Sequence, residues 1–131
     1  MAAPAETYGG LNVNDGTTYN VTAFDPGSTP VAYDEVPNYA GGANRQVNVQ
    51  RTGLVLMLVE ILVQGANATT RDAAIAALNA KLAATNDWVH NDGAGNVTYH
   101  CLVSGDCTYP RDAAFFNLFR ARCTLPIVRQ P

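Results

Sequence analysis

A chain of 131 residues is one domain, long enough to bury a core without disulfide or metal staples. Apolar residues make up 47% and charged residues only 15%, below the ordinary share of about a quarter, which favours a surface largely covered by partners. The net charge is −3 and no cluster of Lys and Arg forms a basic patch, which argues against a protein that grips nucleic acid.

In chain order, residues 1–9 read as a flexible N-terminal arm, rich in Ala and Pro and ending at Gly9-Gly10. A single β-domain is predicted over residues 10–131. Residues 11–24 form a polar strand pair folding back at Asp15-Gly16, which supplies the positive φ angles of a tight hairpin turn. Thr17, Tyr19, Val21 and Ala23 alternate with Thr18, Asn20 and Thr22, the period of a half-buried strand. Residues 25–44, punctuated by Asp25-Pro26-Gly27 and Gly41-Gly42, are predicted as a long irregular loop. A loop of that length in a small domain is functional or disordered, and Tyr33 and Tyr39 favour a contact made elsewhere.

Val47 and Val49 face one way on a strand over residues 46–50. Residues 54–63 are apolar at every position but Glu60 and read as one strand, with both faces covered. One face meets the core; the other requires the helix or a neighbouring subunit. That helix spans residues 71–84, capped by Thr69 or Thr70, with Asp72 placed to favour its positive end. Ala74, Ile75, Leu78 and Leu82 form its packing stripe. Short strands follow at residues 88–90 and 97–103, with a turn at 91–95, and a last one spans 115–128. In the last, Phe119, Ala121, Cys123 and Leu125 alternate with Arg120, Arg122 and Thr124, which predicts a core face and a basic face carrying Arg120 and Arg122 together.

Charge is unevenly spread. Residues 1–44 hold Glu6, Asp15, Asp25, Asp34 and Glu35 and no cation, whereas residues 110–131 hold Arg111, Arg120, Arg122 and Arg129 against Asp112. Such ends can pair within one molecule or between copies in a ring. Chemistry is harder to find. Cys101, Cys107 and Cys123 are odd in number and lack a CxxC spacing, and adjacent His100 and Cys101 on a strand point to opposite faces. The cysteines read as small hydrophobes, kept reduced. No catalytic, cofactor or metal residue is assigned, and the run at 54–63 is too short to span a bilayer. Residues 1–7 lack the charge and apolar stretch of a signal peptide, which implies synthesis in a cytoplasm.

Several stretches resemble the distal tail proteins of long-tailed bacteriophages: Asn14-Asp15-Gly16 with Tyr19-Asn20-Val21 and Phe24-Asp25-Pro26-Gly27, Arg51-Thr52-Gly53 before the apolar strand, the Ala-Leu-Asn-Ala-Lys-Leu helix, and the closing Phe119-Arg-Ala-Arg-Cys-Thr-Leu125 strand. The resemblance lies in the order and spacing of elements over about residues 10–128. It implies a mainly β (α+β) fold, a split β-barrel or sandwich of antiparallel strands with one flanking helix. It also implies a hexameric ring of copies in the virion, joining the tail tube to the tip, hub or baseplate. DNA would pass through the lumen without specific binding, and no membrane is involved. Ending at Pro131, the chain would correspond to the ring-forming domain alone, which leaves a tail-tube or other tail ring subunit open.

Candidate subunit-interface residues are Tyr33, Asp34, Glu35 and Tyr39 from the long loop and Arg120 and Arg122 from the basic face. The contrasting reading is a monomeric ligand-binding or enzymatic β-domain that uses His90, His100 and the cysteines.

Overall fold

The computed structural model describes residues 6–28, 31–36, 46–51, 54–112 and 116–131. Among these, the strands are β1 (Glu6–Tyr8), β2 (Leu11–Asn12), β3 (Tyr19–Asp25), β4 (Val31–Val36), β5 (Gln46–Arg51), β6 (Val55–Leu56), β7 (Leu58–Gln64), β8 (Asn86–Asn91), β9 (Asn96–Cys101), β10 (Arg120–Leu125) and β11 (Val128–Arg129). The helix α1 spans Ala68–Leu82, between β7 and β8.

Among the described residues every strand pairing is antiparallel. A six-stranded sheet runs β2-β1-β8-β9-β11-β6, a three-stranded sheet runs β10-β7-β3, and β4 pairs with β5. The chain is therefore a mainly β, α+β sandwich with one helix. Its sheets do not close on themselves, so the barrel form of the expected fold is set aside.

The core lies between the inner faces of the two larger sheets. Tyr8, Trp88 and Cys101 come from the six-stranded sheet; Val59, Ile61, Val63, Ala121, Cys123 and Leu125 come from the other. The α1 stripe of Ala74, Ile75, Leu78 and Leu82 is buried as the helical spacing predicts, against β7 and β10. Tyr19 locks β3 to the helix by donating its hydroxyl to the Ala74 carbonyl at 2.9 Å.

Several boundaries differ from expectation for identifiable reasons. Asn67, not Thr69 or Thr70, caps α1: its Oδ1 accepts from the Thr70 amide at 3.0 Å while Thr70 Oγ1 accepts from the Asn67 amide. Asp72 lies beyond the first turn and pairs with Arg71 at 2.9 Å. The arm expected over residues 1–9 ends in β1, whose Glu6 and Tyr8 are buried; residues 1–5 lie outside the described part. The 11–24 hairpin does not form. The turn at Asp15-Gly16 is present, with Gly16 at φ +81°, but β2 pairs with β1 and β3 pairs with β7.

The long loop 25–44 is not irregular throughout. It contains β4, which pairs with β5 from Val31↔Arg51 to Val36↔Gln46. The apolar run 54–63 is two strands rather than one. Met57 is buried and donates its amide to the Ile127 carbonyl at 2.9 Å, and there the chain passes from the six-stranded to the three-stranded sheet. The last predicted strand likewise divides into β10 and β11.

Candidate subunit interface

α1 packs on the core side of β7, and on the opposite face Glu60, Leu62 and Gln64 are half-buried while the residues before them stand open. Leu54, Leu56 and Leu58 point outward in one row, 57%, 71% and 59% exposed, with Val55, Met57 and Val59 buried between them. Leu56 sits on β6, an edge strand of its sheet. Leaving three leucines in water forgoes roughly 1–2 kcal/mol each, taken as a share of the value of full burial. Of the two coverings expected for the second face of the run, the helix is not the one these leucines receive.

The row is held rigidly. Gly27, at φ +72°, lies so close to β6 that a Cβ would stand 2.5 Å from the Leu56 carbonyl oxygen. Buried Arg129 donates to the Pro26 and Gly27 carbonyls at 2.7 and 3.1 Å, and its guanidinium lies 5.0 Å from the Tyr99 ring centre. Asp25 stands opposite Leu58 in the ladder and accepts from the Gly27 amide at 2.9 Å. The acidic group is thereby fixed beside the leucines.

Further along the same outer face, Glu60 connects three strands. Its carboxylate pairs with Arg122 of β10 at 3.0 Å and accepts from Thr22 of β3 at 3.0 Å. Thr22 sits where the β3–β7 register shifts, the signature of a bulge. The one charge in the apolar run is therefore satisfied across the sheet.

A second apolar group lies at the other end of β7. Leu118 and Phe119 are 72% and 48% exposed. The Asn117 side chain accepts from the Phe119 and Arg120 amides at 3.0 and 3.1 Å, forming the turn that presents them. Arg71, buried and 4.6 Å from the Phe116 ring centre, donates to the Asn117 carbonyl. Gly65 donates to the Phe119 carbonyl at 2.8 Å and leaves no room for a Cβ, which would lie 2.6 Å from the Arg71 amide nitrogen. Each exposed group thus rests on a buried arginine bound to backbone carbonyls.

Of the residues predicted to meet a neighbour, Arg120 and Arg122 do share one side of β10, on the outer face. Arg122 is engaged with Glu60. Arg120 makes no ion pair among the described residues; its guanidinium lies 5.9 Å from the Phe119 ring centre and its Nε is buried without a hydrogen-bond partner. Tyr33, Asp34 and Glu35 lie on β4 opposite Val49, Asn48 and Val47, and Tyr39 lies outside the described residues. Phe119, expected in the core, is on the surface. Sequence reasoning missed Leu54, Leu56 and Leu58 as a surface, because Val55, Met57 and Val59 between them are equally apolar and the run carries no alternation to separate its faces.

The His and Cys residues are dispersed. His90 Nδ1 lies 2.7 Å from buried Glu6, and its ring stacks on Phe24 at 4.3 Å. His100 is exposed and 2.8 Å from Asp87. Burial pushes the Cys101 thiol up to about 11. A thiol–thiol hydrogen bond raises Cys123 and lowers Cys107, burial adding to the first and opposing the second. Among the described residues no three His, Cys, Asp or Glu side chains group as a metal site requires. A cleft of about 530 Å³ beside Gly9, Gly10 and Asn86 is lined by one carboxylate, Asp87.

No helix among the described residues is long and apolar enough to cross a membrane. No protein-family model matches the chain, and no curated protein matches it either.

Proposed function

We propose that this chain is a structural subunit of a bacteriophage tail that assembles with copies of itself into a ring. The ring, hexameric in the family the sequence resembles, would join the tail tube to the tip or baseplate and leave a channel for DNA. The observation that carries the reading is the rigid row of Leu54, Leu56 and Leu58, an apolar surface presented outward at a sheet edge. A sandwich of antiparallel sheets with one flanking helix, the fold that the resemblance to distal tail proteins implies, supports the tail assignment. A tail-tube or other tail ring subunit would use the same surface.

The experiment is light scattering with negative-stain imaging of the purified chain. A hexameric ring with an open centre is the expected result. A single subunit at every concentration up to about 1 mM, above the weak end of specific association, would remove the proposal.

A further inference from the structure

We infer that the ring closes by a head-to-tail contact in which Leu118 and Phe119 of one copy seat on the Leu54, Leu56 and Leu58 row of the next, with Arg120 meeting Asp25 across the junction. The inference rests on the self-assembly reading and adds to it the two faces that meet.

Three observations carry it. The two groups sit at opposite ends of β7: Arg120 lies opposite Gln64, Asp25 opposite Leu58. At about 3.4 Å per residue they are roughly 20 Å apart, too far to cover one another within a chain. They also carry opposite charge. Asp25 is exposed and fixed beside the leucine row, whereas Arg120 stands over Phe119 with no carboxylate partner among the described residues. Finally, a two-fold contact of the leucine row with itself would bring Asp25 toward its own copy and leave Leu118 and Phe119 in water on every subunit. Joining unlike ends covers both groups, and a repeated unlike contact closes into a ring when its rotation permits.

The test mixes variants blocked at different ends. Leu56→Glu and Phe119→Glu should each weaken self-association at least roughly thirtyfold, the effect of losing a buried anchor. An equimolar mixture of the two keeps one intact junction, so sedimentation should show a two-chain species and nothing larger. If the Phe119→Glu variant assembles as the parent does, or the mixture stays single, the pairing is wrong while a parental ring leaves self-assembly standing. If the parent itself never associates, both readings fall.

Charge exchange gives a measurement independent of folding at Leu56. Asp25→Lys and Arg120→Glu alone should each weaken association several-fold, and the two together in one chain should recover it. A double variant no better than either single one would overturn the Asp25–Arg120 contact.

Discussion

Single residues in this protein settle local geometry through backbone hydrogen bonds more than through pairing with one another. Asp15 shows this most clearly: one carboxylate oxygen accepts the amides of Thr17, Thr18 and Tyr19, all at 2.9 Å. Slight burial works against the charged form, but those amides win and hold the carboxyl below its ordinary value of 3.8. A depressed folded pKa means the stabilisation is present above that ordinary value and is lost as pH falls through the folded one. Asp15→Ala should therefore cost about 1 kcal/mol at pH 7, with the difference from the parent shrinking below about pH 4, as read by urea unfolding across pH. A difference independent of pH would remove the carboxylate from that role. Asp15 as a turn residue was legible in the sequence; its three amide partners follow from local spacing alone. By contrast, the Glu60 contacts with Arg122 and Thr22 join residues 62 and 38 positions away and had no local signal.

At the scale of elements, periodicity was a sound guide to faces and a poor one to partners. The α1 stripe and the burial of Ala121, Cys123 and Leu125 follow from spacing. Strand pairing does not, because a tight turn reports only that the chain reverses. At Asp15-Gly16 it reverses between two sheets rather than within one. The division of the apolar run at Met57 was equally hidden, since the inward residues are apolar in both sheets and the pattern continues through the crossing. The helix N-terminus offers a direct check. Asn67→Ala removes the side-chain acceptor of the Thr70 amide and should lower stability by about 1 kcal/mol in chemical unfolding, whereas Thr69→Ala should leave it within about 0.5 kcal/mol. Equal losses in the two variants would place the cap elsewhere.

For the whole molecule, association should carry the signature of apolar contact with a minor ionic contribution. Between about 0.05 and 1 M salt, sedimentation should show self-association weakening by less than tenfold, because screening touches the proposed Asp25–Arg120 contact and leaves leucine burial unaffected. Cooling toward about 5 °C should loosen it further, since hydrophobic stabilisation fades at low temperature. Full dissociation in salt would assign the contact to charge instead.

The sequence by itself determined the mainly β class with one helix, the buried stripe of α1 and the core face of Ala121, Cys123 and Leu125, the turn at Asp15-Gly16 and an excess of apolar residues over charge. These depend on spacing along the chain and on the chemistry of neighbours within a few positions. Only the tertiary structure decided which strands pair, that the run through Leu54, Leu56 and Leu58 keeps one face in solvent, and that Leu118 and Phe119 stand at the far end of the same strand. Those outcomes depend on which segments far apart in the chain compete for the same core face. Once α1 and the six-stranded sheet occupy the inner side of β7, the leucines at the start of the run have no covering element left within the described chain.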